Sequence, residues 1–276
     1  MKYFTVRKVY AAFCLLPFLI ACNPPQKNDA QAVFDQKESR YPYPHHDTVG
    51  NFGGIPIRFS SYITPGPVVS YEDTPSGLSK EWETYDPPPR TLESPLTGFL
   101  VIWNLKTDEI YDVRNQTAYD YYDSAKKPEN PWVEFSYHAD KTPWPSDFLT
   151  KRLERDLRYK PTLPEYSFKP TGEKLYGLEV YKQLEPDTNT KTTDTLFIGR
   201  DKNGNVTTYI SCFDNNKNES INPPCSHDFL SGSNPYIKFT ASYSRFYLKD
   251  WRKIEHKSKE ILQEFKDNAK HPERKL

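Results

Sequence analysis

The chain has 276 residues, and its 37 Lys and Arg side chains balance 37 Asp and Glu side chains. Without a basic excess it lacks the electrostatic footprint of a nucleic-acid-binding protein, and a mean hydropathy of −0.82 excludes a polytopic membrane protein. Aromatic residues make up 15% of the chain and 25 prolines punctuate it, which indicates a folded body with polar loops and not a disordered chain.

The first 22 residues have the layout of a bacterial lipoprotein signal. Three basic residues within the first eight positions precede the apolar segment 9–21, which is short for a membrane span. The segment ends in Leu-Ile-Ala before Cys22, and this resembles a lipobox in which Cys22 takes the lipid. We therefore expect residues 1–21 to be a signal peptide and Cys22 the lipid-attachment site. An uncleaved anchor helix, or an ordinary signal peptide with an incidental cysteine, is the alternative.

Cleavage would leave a lipid-anchored chain with a formal charge of −3, because residues 1–21 hold three basic side chains and no acidic one. Several acyl chains on Cys22, palmitate among them, would hold the protein stably on a membrane. Asn23 follows where enterobacteria use Asp for inner-membrane retention, so the expected address is the periplasm, at the inner face of the outer membrane. Residues 22–49 are polar and proline-broken, which predicts a flexible tether with a reach of about 28 Å.

Strand patterns dominate the chain from Gly50 onward. Ile55, Ile57 and Phe59 alternate as in a half-buried strand, and Asn203-Gly204 predicts a tight hairpin turn. Further segments rich in aromatic and β-branched residues predict strands; these are Val68–Tyr71, Gly98–Asn104, Trp132–Tyr137, Leu175–Gln183, Thr195–Arg200, Val206–Phe213 and Tyr236–Arg245. The predicted class is α+β with a mainly antiparallel sheet.

Two helices are predicted from apolar residues at three- and four-residue spacing. The first covers Asp147–Arg158, with Ser146 as its cap. The second covers residues 248–266 and has an apolar stripe, which we expect to pack on the sheet, although a membrane or a partner would also fit it. Strands followed by a helix occur twice, so two related α+β lobes are predicted at residues 50–160 and 161–276.

Two cysteines remain after Cys14 leaves with the signal and Cys22 is acylated. An even pair in an oxidising compartment predicts a disulfide between Cys212 and Cys225. A metal site made by these two cysteines and His227 is the alternative, but it lacks a fourth ligand and a Cys-x-x-Cys pair.

No catalytic signature occurs in the chain: nucleophile elbow, metal-binding helix motif, phosphate loop and dinucleotide fingerprint are all missing. His138 with Asp140, and His227 with Asp228, are the candidate acid–base pairs. Neither pair has a nearby nucleophile or a second ligand set, so a structural role is favoured for both. We predict a protein that is not an enzyme, with no catalytic residues, no cofactor and no metal.

An acidic and aromatic run lies between two predicted strands, in what we expect to be a loop. It consists of Tyr119, Asp120, Tyr121, Tyr122 and Asp123. Tyrosine offers a large contact area with few rotatable bonds, which suits a protein interface. The run is therefore the candidate partner-binding surface, unless its tyrosines cover the protein's own core.

Four stretches at the two ends of the body resemble the immunity lipoproteins of type VI secretion phospholipase effectors. Asn51–Ile57 is similar to the family's Gly-Gly-Val-Pro-Val opening, and Tyr71–Pro75 to a Tyr-Asp-Gly-Asp-Pro stretch from which Thr74 departs. Cys225–Phe229 and Tyr243–Ile254 match near the C-terminus. The four stretches cover about a quarter of the body, and its middle has no match.

The resemblance implies a partner and a role. The partner would be a secreted, phospholipase D-like toxin that cuts membrane lipids in the periplasm, and the protein would bind and neutralise it. Three other functions remain open from the sequence: an envelope assembly or scaffold lipoprotein, a periplasmic lipid or ligand carrier, and a lipid-anchored hydrolase that uses His138 or His227.

Overall fold

A computed structural model describes residues 47–65, 68–75, 84–124, 127, 129–158, 167–185, 193–214, 224–232, 237–274 and 276. The predicted signal peptide, Cys22 and residues 23–46 of the predicted tether lie outside this set. The first strand begins at Thr48, two residues before the predicted start of the body.

One mostly antiparallel sheet holds the eleven strands of the described residues. They are β1 (Thr48–Phe52), β2 (Ile55–Phe59), β3 (Ser70–Tyr71), β4 (Pro95–Asn104), β5 (Trp132–His138), β6 (Phe168–Leu175), β7 (Leu178–Gln183), β8 (Thr193–Arg200), β9 (Val206–Asp214), β10 (Pro224–Leu230) and β11 (Lys238–Ser244). The order is β2-β1-β4-β5-β11-β10-β9-β8-β7-β6, with β3 also paired to β4. Among the strand pairs of the described residues, β1–β4 alone is parallel.

Three α-helices accompany the sheet in the part of the chain that the structure describes: α1 (Gln116–Ser124), α2 (Phe148–Asp156) and α3 (Trp251–Lys270). A 3₁₀ turn, Arg245–Asp250, joins β11 to α3. The predicted α+β class and the C-terminal helix packed on the sheet are confirmed. None of the described helices is long and apolar enough to cross a membrane.

The predicted hairpin at Asn203-Gly204 joins β8 to β9. Asp201 organises the turn, because its Oδ1 accepts hydrogen bonds from the backbone N–H groups of Asn203 (2.8 Å) and Asn205 (2.9 Å). Gly204 has φ +85°, a conformation that glycine adopts without a steric cost. The predicted hairpin is confirmed, but Gly204 alone of the predicted pair has a positive φ, and the side chain of Asp201 organises the turn.

Helix α3 covers one face of the sheet, which we call the α3 face. Phe99 in β4 lies at its centre, with ring centroids 4.5 Å from Tyr137, 4.9 Å from Phe59 and 5.9 Å from Phe265 of the helix. The apolar stripe of α3 that faces the sheet is buried and includes Ile254 and Ile261. Burial of this aromatic layer is the main source of stability, since it removes the largest apolar side chains from water.

Helix α2 packs on the opposite face through a smaller cluster. Leu149 and Leu153 contact a group of buried side chains from β7, β8 and β9; these are Tyr181, Leu196, Ile198, Val206 and Tyr209. Ser146 is not the cap of this helix, contrary to prediction. Asp147 takes that position, and its side chain makes no capping hydrogen bond.

The single sheet contains strands from both predicted lobes. Strand β5 of the first pairs with β11 of the second over five residue pairs, from Lys238 with His138 to Ser242 with Glu134. That the two lobes are related stays a prediction. Strands from both sides of residue 160 belong to the same sheet.

Candidate functional site

The acidic and aromatic run forms the middle of helix α1, not the loop that we predicted. Asn115 starts the helix, because its Oδ1 accepts a hydrogen bond from the backbone N–H of Thr117 at 2.9 Å. We predicted a loop because the run lies between two predicted strands and tyrosine is not a strong helix former. The sequence nevertheless contains a helix-start signal, since Asn115 lies just ahead of the run.

One tyrosine of α1 faces the sheet. The Tyr121 hydroxyl donates a 2.6 Å hydrogen bond to Glu134 in β5, and its ring lies edge-on to Trp132 at 6.0 Å. Burial and the hydrogen bond to Glu134 raise the pKa of Tyr121. Of the two readings of the run, Tyr121 fits the structural one, since it fixes α1 to β5.

Two tyrosines and two acids of α1 face outward. Tyr119 is 38% exposed and Tyr122 is 45% exposed. Asp120 and Asp123 are exposed beside them, and each has a local partner: Gln116 for Asp120 at 2.9 Å and Lys127 for Asp123 at 2.5 Å. The outward side of α1 therefore combines exposed aromatic area with negative charge, and its role as a partner-binding surface stays a prediction.

His227 and Asp228 lie on opposite faces of the sheet, because successive side chains of a strand alternate. His227 is fully buried on the α3 face, with Nε2 3.1 Å from Glu255 of the helix and Nδ1 3.3 Å from the Tyr243 hydroxyl. Thr208 donates a 2.6 Å hydrogen bond to the same carboxylate. The pair predicted from the sequence is thus not brought together, and His227 acts as a polar clamp between β10 and α3.

The carboxylate of Glu255 is tuned by this clamp. Burial by itself would raise the pKa of Glu255, but the hydrogen bonds from His227 and Thr208, together with the charge of Lys259, outweigh burial and lower that pKa. Glu255 is therefore ionised at neutral pH, and its carboxylate joins α3 to the sheet through His227 and Thr208.

Asp228 lies on the other face as the centre of an ion network. It pairs with Arg152 of α2 and, at 3.7 Å, with Lys238 of β11, and it accepts a 2.5 Å hydrogen bond from Thr240. The Arg152 guanidinium also stacks 4.0 Å over the Tyr209 ring. The network fastens α2 to the central strands.

His138 and Asp140 do not form an acid–base pair. Within the described ranges, no hydrogen bond or ion pair joins the two, and Asp140 instead accepts from the backbone of Lys141. Burial and the neighbouring charge of Lys238 lower the pKa of His138. Its surroundings are those of a neutral histidine at the end of β5.

Cys212 and Cys225 are joined in a disulfide, as predicted. They are directly opposite each other on β9 and β10, and both are fully buried on the α3 face. Because the two sulfurs are bonded to each other, the alternative metal site with His227 is excluded. The described part of the chain contains no cluster of three or more histidine, cysteine or acidic side chains arranged for a metal ion.

An open groove of about 590 Å³ lies on the outer side of α3. Its lining is polar and charged: His256, Lys259, Glu260, Gln263, Glu264, Asp267 and Arg274.

The four stretches that resemble the immunity lipoproteins form strands and helix starts of the sheet's scaffold. Asn51–Ile57 forms the β1–β2 hairpin, and the Tyr71 hydroxyl donates a 2.7 Å hydrogen bond to the carbonyl of Val49 in β1. The C-terminal stretches supply β10 and the passage from β11 into α3, including the buried residues Tyr247 and Trp251. The resemblance thus covers the scaffold, while α1 lies in the unmatched middle.

Sequence reasoning missed one exposed surface of β10 and β11, on the sheet face opposite α3. Ser226 and Ser242 are exposed there as direct cross-strand neighbours. The sequence of both strands does contain the alternation that marks two faces, since Ser226 and Ser242 alternate with the buried residues Cys225, Phe229 and Tyr243. The sequence did not reveal that the two strands lie at the middle of the sheet.

No protein-family model matches the chain, and no curated protein sequence matches it. Two solved structures align with this chain over most of their length. Smlt3025, an immunity protein of the Stenotrophomonas maltophilia type IV secretion system, is 12% identical with a TM-score of 0.49, over 80% of this chain and 92% of that chain. FrpD, an iron-regulated outer membrane lipoprotein of Neisseria meningitidis, is 13% identical with a TM-score of 0.41, over 83% and 97%. The narrower resemblance to immunity proteins of type VI phospholipase effectors stays a prediction.

Proposed function

We propose that this protein is a lipid-anchored immunity protein of the periplasm, which binds and neutralises a secreted phospholipase toxin and so protects the cell's own membrane. The observation that carries the proposal is the outward side of α1. It presents Tyr119 and Tyr122, 38% and 45% exposed, next to Asp120 and Asp123, on a body that the sequence predicts to be tethered through Cys22.

Inhibition of this kind needs a complementary surface and no bond chemistry. A phospholipase D-like site binds anionic phosphate with cationic side chains, so an acidic and aromatic surface is complementary to the region around its mouth. Opposite charges also accelerate the encounter of the two proteins. Tethering raises the inhibitor's local concentration at the membrane that the toxin attacks.

The test is co-expression in the periplasm with the toxin candidate encoded by the adjacent gene. Cells that produce the toxin alone should lyse, and cells that also produce the full-length protein should survive. Lysis in both strains, with both proteins present, would overturn the proposal.

The anchor is tested in the same assay with Cys22→Ala in a chain exported by a cleavable, non-lipoprotein signal. We expect the variant to be soluble in the periplasm and to protect only when overproduced, because it no longer shares the membrane surface with the toxin. Metabolic labelling with palmitate should mark the wild type and not the variant, and an unlabelled wild type would contradict the predicted anchor.

A further inference from the structure

Two exposed aromatic side chains lie at turns of the chain beside the start of α3. Phe246 is 51% exposed in the 3₁₀ turn that precedes the helix, and Tyr176 is 49% exposed in the turn between β6 and β7, next to Leu175 at 40%. The Tyr176 carbonyl accepts a 3.2 Å hydrogen bond from the indole N–H of Trp251, the first residue of α3. Both turns therefore border the same helix start.

The backbone of Tyr176 is held in a conformation that tyrosine avoids. Its φ is +53°, in the left-handed region, where a bulky side chain is disfavoured. Gly177 follows with φ +83°, and two such residues in a hairpin turn usually begin with asparagine, aspartate or glycine. The turn itself therefore does not require an aromatic residue, and backbone strain of this kind is associated with functional surfaces.

Three cationic side chains accompany the two rings. Lys249 has its Nζ 5.8 Å from the centre of the Phe246 ring, as expected in a 3₁₀ turn, where side chains three residues apart are eclipsed. Arg252 donates a 3.4 Å hydrogen bond to the Tyr176 carbonyl, and Lys253 is exposed next to it. The name basic patch is used below for Leu175, Tyr176, Phe246, Lys249, Arg252 and Lys253.

The positive charge of the basic patch does not serve the helix. Among the described residues, its cations contact rings and carbonyl groups: Arg252 lies 4.1 Å over the neighbouring indole, and Lys253 donates a 2.8 Å hydrogen bond to the carbonyl of Leu105. Asp250 is the one acidic residue of the sequence 246–254 and is half-buried. The first turn of α3 holds no acidic residue, although the helix dipole favours negative charge there.

Aromatic residues at turns, with lysine and arginine around them, have the composition of a membrane-contacting surface. Aromatic rings lie well at the level of the lipid headgroups, and each basic side chain near an anionic bilayer strengthens binding by about fivefold. Charge complementarity therefore favours an anionic lipid surface over a neutral one. An acidic protein segment would match the same charges, but the predicted lipid anchor favours the bilayer, because it keeps one within reach at all times.

The predicted tether is long enough to let the basic patch reach the bilayer. Asp47 pairs with Arg58, which also donates hydrogen bonds to the carbonyls of His271 (3.0 Å) and Arg274 (2.9 Å) just beyond α3. The chain therefore enters the described body beside the C-terminal end of that helix. With 20 residues, α3 is about 30 Å long, which is close to the predicted reach of the tether, about 28 Å.

We propose that the basic patch is a second membrane contact of this protein, which docks on anionic phospholipid headgroups while the acyl chains on Cys22 provide the anchor. The contact goes beyond toxin binding and does not require a toxin. Without acyl chains it is weak and reversible. Two contacts fix the orientation of the body, which a flexible tether alone leaves free.

This orientation has a consequence for α1. Glu134 of β5, which binds Tyr121 of α1, alternates with Val133 and Phe135, which face α3. Helix α1 therefore lies on the sheet face opposite α3, and a body that rests on its α3 side presents α1 away from the bilayer.

The test measures binding of the mature chain with Cys22→Ala, which carries no acyl chains, to vesicles that are sedimented with the bound protein. We expect at least about tenfold tighter binding to vesicles that contain phosphatidylglycerol than to vesicles of phosphatidylcholine alone, and high salt should remove the difference. Phe246→Ser with Lys249→Gln should weaken binding to the anionic vesicles by at least about tenfold.

The matched control is Leu157→Ser with Lys202→Gln, which also removes one exposed apolar and one exposed basic side chain, at the end of α2 and in the β8–β9 turn. Because neither residue belongs to the basic patch, vesicle binding should stay within about twofold of the unsubstituted chain.

Tyr176→Asn separates a lost membrane contact from a damaged fold. Asparagine adopts a positive φ at less cost than tyrosine, so this variant should unfold at or above the temperature of the unsubstituted chain. Its affinity for anionic vesicles should nevertheless fall by about threefold, because the ring is gone. Thermal unfolding and near-ultraviolet circular dichroism check the fold of every variant.

Two outcomes would overturn the proposal. In the first, the unacylated chain binds neither kind of vesicle or binds both equally. In the second, Phe246→Ser with Lys249→Gln binds anionic vesicles as tightly as the unsubstituted chain; if the same variant loses affinity for the toxin, the basic patch meets an acidic protein segment instead. The vesicle measurements contain no toxin, so their result is independent of whether the proposed function holds.

Discussion

The two faces of the sheet differ in what covers them. On the α3 face, a 20-residue helix and a layer of aromatic side chains bury the inward side chains of β1, β2, β4, β5 and β7 to β11. On the opposite face, the described helices are two of nine residues each, and Ser226 and Ser242 of the middle strands are exposed. The larger apolar core therefore lies under α3, and a smaller one lies around Leu149 and Leu153 of α2. We expect the α3 face to contribute more to the stability of the fold.

The sharpest test of this difference uses two neighbours in β4. Phe99→Ala removes a ring that contacts four other aromatic rings on the α3 face and should lower the free energy of unfolding by about 3–5 kcal/mol. Leu100→Ala points to the half-covered opposite face and should cost about 1 kcal/mol. Urea unfolding measures the loss in free energy of unfolding for each variant. Equal losses would mean that the two faces contribute equally to stability.

The disulfide reinforces the same face, because Cys212 and Cys225 are part of its core. Replacing both with Ser should destabilise the protein by about 3 kcal/mol, since the bridge restricts the unfolded chain across a sequence separation of 13 residues. Urea unfolding with and without a reducing agent provides the measurement. The wild type under reducing conditions should match the double variant, and the double variant should not respond to the reductant.

A smaller effect is expected from the polar clamp beneath α3. The pKa of Glu255 is lower in the folded protein than its ordinary value of 4.5, so its ionised form stabilises the fold above about pH 4.5 and this contribution is lost as the pH falls through the folded-state pKa. Glu255→Gln should cost about 1–2 kcal/mol at pH 7, and the difference from wild type should shrink toward pH 3.

Unfolding curves at pH 7, 5, 4 and 3 follow this convergence. Glu264→Gln, an exposed position on the same helix, is the control and should stay within about 0.5 kcal/mol of wild type at each pH. If the free energy of unfolding of Glu255→Gln differs from that of the wild type by the same amount at every pH, the charge of the carboxylate does not contribute to stability.

The sequence predicted most of the α3 face and little of the other. Alternating apolar residues identified β2, and segments rich in aromatic and β-branched residues identified β4, β5 and β9. The apolar stripe identified α3, and two cysteines in a chain predicted to be exported identified the disulfide. Strand β6 was missed because seven of its eight residues are exposed, so that no buried face leaves an alternating pattern. The row that Glu134, Ser242 and Ser226 form across the sheet depends on β5 lying beside β11, about a hundred residues away in the chain, and short-range patterns carry no information on such a pairing.

The smallest effect on stability, and the most informative for the open face, is expected on α1. Asp120→Lys with Asp123→Lys changes two exposed side chains whose partners, Gln116 and Lys127, are local, so the free energy of unfolding should change by less than about 0.5 kcal/mol. Toxin association should nevertheless slow by about tenfold at low salt, and the deficit should narrow as salt screens the surface charge.

Glu260→Lys with Glu264→Lys makes the same charge change on the outer side of α3 and is the matched control. Because that helix side is turned away from the sheet, the control should bind the toxin at the wild-type rate apart from the small effect of net charge. If both double variants slow association equally, the effect belongs to the protein's total charge and α1 has no special part in capture. If only the α1 variant slows it, the surface that the fold does not need for stability is the surface that meets the partner.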